Sequence, residues 1–138
     1  MLIFLSLLHI LTTPILPSNR KTLVTVEVQN ILAASGKVEI GLFKPCEGFP
    51  DKCRPTESRQ VTATKGSVRA VFEVDPGEYA LAVFHDVNGN GKIDMRFFIP
   101  REPYGFSNNV RPRFSPPKFA ECQVRVGNEA KTVTVRVE

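Results

Sequence analysis

Tryptophan is absent from the 138 residues, histidine occurs twice, cysteine three times, and no Lys, Arg, Asp or Glu precedes Arg20. Each scarcity excludes something. Two histidines, His9 and His85, leave little material for a multi-histidine centre, so a dedicated zinc enzyme is disfavoured. A net charge of +4 is modest for this length and argues against a protein built around nucleic-acid binding. No stretch sustains the 3.6-residue apolar period over several turns, so helix is not the organising element. What is present is 42% hydrophobic against 23% charged residues, in a length that suits one domain. Wholesale disorder is excluded.

The uncharged start reads as a secretory signal, because Leu2 to Leu11 is almost entirely apolar and fits the short apolar core of such segments. A buried helix of the domain is the alternative. Pro14 and Pro17 interrupt that helix, and the run falls short of the roughly 20 residues that span a bilayer. The expectation is a signal peptide at 1–19 and a single domain at 20–138, periplasmic or secreted, with no transmembrane span in the mature chain. His85 is then its only histidine.

Cys46 and Cys53 share a loop marked by Pro45, Gly48 and Pro50. In an exported chain they are expected to pair. A bridge closing so short a loop stabilises by about 2 to 3 kcal/mol, enough to pin the loop. Zinc would need four ligands, and no second thiol pair or clustered histidine supplies them. Cys122 falls in an alternating stretch and reads as a small buried hydrophobe.

Beyond residue 20 the dominant period is two, which puts alternate side chains on one face of a strand. Val24, Val26 and Val28 alternate with Thr25 and Glu27; Val38, Ile40 and Leu42 alternate with Glu39 and Gly41. The pattern returns in Val68–Val74 and Tyr79–Val83, in Ala120, Cys122, Val124 and Val126, and in Val133–Val137, with a weaker strand over Arg59–Thr64. Turn signals separate them at Ser35-Gly36, Lys65-Gly66, Asp75-Pro76-Gly77 and Gly127-Asn128. About seven short strands predict an all-β fold, an antiparallel β-sandwich of immunoglobulin or transthyretin type, with an all-β barrel as runner-up.

One segment breaks the pattern. His85 to Lys118 lacks sustained alternation and gathers Asn, Gly, Pro and aromatic residues, six aromatics being counted up to Phe119. Such richness disfavours disorder and predicts one long ordered loop packed by its own side chains. It opens D-x-N-x-N-G-x-x-D, with oxygen-bearing residues at every second position. In the manner of an EF-hand loop, Asp86, Asn88 and Asn90 would offer side-chain oxygens, Lys92 its carbonyl, and Asp94 a direct or water-mediated contact, with Gly91 at the sharp turn. Calcium suits these hard donors. Phe97 stands where the bidentate glutamate belongs, so any affinity is weak, on the order of 10⁻⁴ to 10⁻³ M. The plain alternative is a set of Asx turns in which Asp86 and Asp94 accept backbone hydrogen bonds.

No G-x-S-x-G elbow and no P-loop appears, and a hydrolytic triad would have to use His85. The expectation is a non-enzyme. Arg96, Arg101, Arg111, Arg113 and Lys118 make the excursion basic, with Glu102 alone opposing them after Asp94. A solvated face explains them plainly. The sharper reading is that guanidinium groups interleaved with Phe and Tyr bind an anionic sugar or a phosphate-bearing lipid head group, nucleic acid losing its weight in an exported protein.

The stretch Gly77 to Asp94 with its H-D-x-N-x-N-G motif, followed by Tyr104-Gly105-Phe106-Ser107-Asn108-Asn109, strongly resembles the DUF2141 family of uncharacterised exported bacterial proteins. The similarity runs from about Leu23 to Val137 and includes Gly36-Lys37-Val38 and Pro116-Pro117-Lys118-Phe119-Ala120. The resemblance implies an exported β-sandwich with no assigned activity. The 44–53 loop and Met95-Arg96-Phe97-Phe98 depart from the family pattern.

The reading that results is an exported, non-enzymatic binding or structural module of the cell envelope. A weak calcium loop lies at 86–94. The interaction surface lies at 85–118, with Arg96, Arg101, Tyr104, Phe106, Asn108 and Asn109 as ligand-binding candidates and a glycan, lipid head group or protein as partner. The competing class is an enzyme acting on envelope glycans or lipids through His85, Asp86 and Asp94.

Overall fold

The computed structural model describes Pro14 and residues 20–138. The expected signal peptide at 1–19 lies, Pro14 apart, outside the described residues. Ten strands follow in order: β1 (Thr22–Ile31), β2 (Lys37–Phe43), β3 (Glu57–Thr62), β4 (Gly66–Val74), β5 (Gly77–Asp86), β6 (Met95–Arg96), β7 (Ile99–Pro100), β8 (Tyr104–Phe106), β9 (Val124–Val126) and β10 (Lys131–Arg136). A 3-10 turn at Ser107–Asn109 and one helical turn, α1 (Phe119–Cys122), interrupt them.

The fold is all-β, as expected, and forms two main sheets. One sheet runs β10-β1-β4; the other runs β3-β2-β5, with β8 and β9 sharing the far edge of β5. Neither closes into a barrel. The alternating valines and their partners meet between the sheets: Val24, Val26, Val28, Val38, Ile40, Leu42, Phe72, Leu81, Val83, Val135 and Val137 are all buried in one cluster. Branched side chains on a pleated face are what this interior selects, and each fully buried one contributes about 1.5 to 3 kcal/mol.

Two details depart from the expected antiparallel meander. β10 pairs with β1 in parallel, Val26 opposite Val133 and Val28 opposite Val135. Alternation reports which residues face the core and carries no information on strand direction. At the end of this pair Asn30 turns left-handed (φ 69°), its side chain donating to the Val137 carbonyl at 2.7 Å while Val137 N–H donates to Gln29 at 3.1 Å. The second departure concerns Ala120 and Cys122, which lie in α1 rather than in a strand. Residues three apart on a helix share a face, so Phe119 and Cys122 face inward together as well as Cys122 and Val124 would on a strand. Ala120 is exposed.

A second apolar cluster covers the outer face of the β2–β5 sheet: Phe43, Phe49, Ala80, Phe106 and Cys122, with Tyr104 and Phe119 packed against it. Cys46 and Cys53 are bridged, Cα to Cα 6.3 Å. Their loop delivers Phe49 edge-on to Phe43, Phe106 and Phe119 at centroid distances of 5.0, 6.0 and 5.9 Å. Cys122 is a free, buried cysteine, as expected.

Candidate functional site

β5 ends at Asp86, and the chain then turns through the D-x-N-x-N-G stretch. Asp86 is buried, and its two carboxylate oxygens accept the backbone N–H groups of Asn90 at 3.1 Å and Gly91 at 2.7 Å. Asn88 Oδ1 accepts Asn90 N–H at 3.2 Å, and Asn90 Oδ1 accepts Lys92 N–H at 3.1 Å. Gly89 and Gly91 take positive φ, 69° and 80°, as a loop coiled this tightly requires. The Asn88 and Asn90 amides donate to Asp94 at 2.6 and 2.8 Å. Donation from Asn90, then from Asn88, holds the Asp94 carboxyl below its usual range, with Lys92 and Arg101 adding to the effect. The structure therefore draws Asp86, Asn88, Asn90 and Asp94, with the Lys92 backbone N–H, into one small hydrogen-bonded ring in which the side-chain oxygens accept N–H groups. Among the described residues no group of three or more His, Cys, Asp or Glu side chains is gathered for a metal. A cation here would rest on amide and backbone oxygens beside two aspartates.

Glu102, in the sequence a lone acid opposing the basic excursion, completes the corner. It is 7% exposed. Its carboxylate accepts Val87 N–H at 3.0 Å and Asp94 N–H at 3.1 Å, spanning the loop from entry to exit. The one available signal was an isolated acid in a basic segment. A shallow cavity of about 480 Å³ opens beside it, lined by Val87, Asn88, Asp94, Met95, Arg101 and Glu102.

From this corner rises a short hairpin. Arg101 N–H donates to the Asp94 carbonyl at 2.8 Å, and β6 pairs with β7, Arg96 opposite Ile99. The two turn residues are Phe97 and Phe98, both left-handed at φ 51° and 64° and exposed at 83% and 96%. The expectation that the aromatics of the excursion pack on one another fails here and at the fully exposed Phe114; it holds for Tyr104, Phe106 and Phe119. A two-residue turn leaves its tip no surface to fold onto.

His85 is buried, and its Nε2 donates to the Ser35 carbonyl at 2.7 Å. Adjacent strand residues point to opposite faces, so His85 faces the inter-sheet core with Leu81 and Val83 while Asp86 faces the corner loop.

The Tyr104–Asn109 candidates have structural attachments. Tyr104 exchanges backbone hydrogen bonds with Glu138, and the Arg111 guanidinium lies 5.5 Å from its ring centroid. Phe106 is in the second cluster. Asn108 donates to the Glu121 and Gln123 carbonyls at 3.1 and 3.0 Å; Asn109 Oδ1 accepts Arg136 N–H at 2.9 Å. A Cβ on Gly105 would collide with the Arg136 carbonyl. Ser107, marked in the sequence only as part of the Tyr104–Asn109 motif, is fully buried: it accepts Leu81 N–H at 2.9 Å and donates to the Cys122 carbonyl. Of the ligand-binding candidates, Arg96 and Arg101 remain as exposed cations.

An all-β sandwich with one ordered corner and a projecting hairpin defines the class of protein. The family described as an uncharacterized protein conserved in bacteria (DUF2141) matches residues 26–134, so the chain belongs to it. No curated protein and no solved structure matches the chain.

Proposed function

We propose that this chain is an exported, non-enzymatic module of the bacterial envelope whose 85–118 excursion is its interaction surface. The observation that carries the reading is the contrast within that excursion. Its acids Asp86 and Glu102 are buried on backbone amides, while Arg96, Phe97, Phe98 and Arg101 stand in solvent. With Asp94 held by the Asn88 and Asn90 amides, a surface that displays cations and aromatic rings is suited to an anionic or amphiphilic ligand. The Cys46–Cys53 bridge supports an oxidising compartment. Among the described residues no helix is long and apolar enough to cross a membrane. His85, buried on Ser35 and facing away from Asp86, supports a structural role for the histidine over that of a catalytic base.

The 86–94 ring takes up calcium weakly and serves as a clamp at the base of the surface. Its support is the spacing of Asp86, Asn88, Asn90 and Asp94 at every second or fourth residue and the closeness of Asn88 and Asn90 to Asp94, which offers the oxygen-bearing side chains that a hard cation takes.

The test is binding of the mature domain to glycan and lipid arrays, beside a variant in which Met95–Pro100 is replaced by a plain Asn-Gly turn. Binding lost in the variant is expected; equal binding by both sinks the interaction surface. For the clamp, roughly tenfold excess calcium over a millimolar Kd adds about 1.4 kcal/mol, a rise of several degrees in Tm. Magnesium should do much less, and D86A should lose the response. An unchanged Tm between chelator and calcium leaves the loop a turn only.

A further inference from the structure

The β6–β7 hairpin carries apolar surface that, among the described residues, no element of the fold covers. Met95 is half exposed, Ile99 two-thirds exposed, and Phe97 and Phe98 project almost fully. Type I′ positions favour Asn and Gly, because both central residues need positive φ. Here two phenylalanines occupy them. Bulky residues in this region are strained, and neither ring is buried by the described residues. The Arg96 guanidinium lies 5.8 Å from the Phe97 ring centroid.

Shape and charge say what covers the tip. A two-residue turn is convex and narrow, a shape for entering a soft medium. Arg96 lies within the hairpin opposite Ile99, Arg101 follows its second strand, and Lys92 precedes it, all three exposed. The acids of the same stretch are occupied, Asp94 by the Asn88 and Asn90 amides and Glu102 by backbone N–H groups. Exposed cations flanking an apolar tip complement the anionic head groups and acyl boundary of a bilayer.

We propose that Phe97 and Phe98 insert into the interface of an anionic lipid membrane while Arg96, Arg101 and Lys92 engage its head groups. This rests on the reading of the excursion as an interaction surface and names its ligand class.

The chain has no tryptophan, so F98W places a single reporter at the tip. With vesicles of phosphatidylglycerol and phosphatidylcholine in equal parts, its emission should shift to the blue and be quenched by brominated acyl chains. Pure phosphatidylcholine should bind far more weakly. F97S/F98S should abolish sedimentation with the anionic vesicles. R96Q/R101Q should weaken it roughly thirtyfold, each cation near an anionic surface contributing roughly fivefold. V71S, which removes an exposed apolar side chain from β4 in the other sheet, should change nothing. F98W emission unmoved by anionic vesicles overturns the proposal, as does a V71S loss matching that of F97S/F98S. A concentration-dependent dimer that F97S/F98S removes, with emission still unmoved, assigns the tip to a second copy and also overturns it. Hairpin-dependent binding to a glycan, without vesicle binding, overturns the membrane proposal and leaves the interaction surface standing.

Discussion

Glu102 accepts the backbone N–H of Val87 at 3.0 Å, and that contact ties the start of the excursion to a residue beyond its hairpin. The other carboxylate oxygen holds Asp94 N–H, so one side chain fastens both ends of the corner loop. E102A strands two donors and should lower stability by about 1 to 3 kcal/mol. E102Q should cost less, since one amide oxygen still accepts. Urea unfolding of the three proteins checks the ranking, and equal midpoints would remove Glu102 from this role.

Ser107 fills the gap between β8 and β9 along the edge of β5. The two short strands pair with Ala82–Phe84 and Gly77–Tyr79, leaving Leu81 N–H without a strand partner. The Ser107 hydroxyl accepts that N–H and donates its own hydrogen bond to the Cys122 carbonyl. S107A leaves two buried backbone groups unpaired and should destabilise by about 1 to 3 kcal/mol. S107T supplies a hydroxyl but must fit an extra methyl into a fully buried site, so it should recover only part of the loss. Hydrogen exchange at Leu81 should rise in S107A before the rest of β5 opens.

The sandwich was legible because Val24, Val26 and Val28, and every later pair of alternating residues, carry a local signal that survives without knowledge of neighbours. Strand direction is not local, and β10 shows it. Cys122 fits a strand in the sequence because a four-residue segment satisfies both periods. At the corner, Asp86, Asn88 and Asn90 were legible from spacing, since their partners lie within five residues. Glu102 and Ser107 were not, since their partners lie 15 and 26 residues away. Aromatic residues were counted as packing material, which is sound for Phe106. It fails for Phe97 and Phe98, where a two-residue turn decides exposure.

Asp94 should titrate below the ordinary Asp value of about 3.9. A lowered folded-state pKa means that the loop's contribution is fully present above the ordinary value and is lost as pH falls through the lowered one. N90A should move the midpoint upward more than N88A, because Asn90 is the larger influence on it. Side-chain carbonyl NMR titration reads this directly. A midpoint insensitive to both variants would mean that the two amides do not face the carboxylate in solution.

Cys122 has its thiol pushed up to about 11 by burial, with Glu121 adding repulsion. A thiol that stays protonated is a poor nucleophile. Native protein should therefore show no reaction with a thiol reagent near pH 8, and denatured, unreduced protein should show one thiol. The unfolded thiol ionises first as pH rises past about 8.5, so this group's contribution to stability falls from there up through the folded value. Three reactive thiols in oxidised, denatured protein would dissolve the Cys46–Cys53 bridge.

The bridge and Phe49 should act as one device. The Cys46–Cys53 loop hangs outside the sheet and is anchored by Phe49, which sits buried among Phe43, Phe106 and Phe119. F49A removes the anchor and should cost about 3 to 5 kcal/mol, less if the loop collapses into the space. C46S/C53S should cost about 2 to 3 kcal/mol, because an open chain loses more entropy when it orders the loop. That entropy matters only if the loop is ordered in the folded state. Once Phe49 is gone the loop frays in the native protein as well, and closing it by a bridge no longer separates the two states. Removing the disulfide in an F49A background should then cost well under the single-variant value, a coupling above the roughly 0.5 kcal/mol that independent sites show. Additive losses in the double-mutant cycle would mean that the loop is held by something other than its phenylalanine.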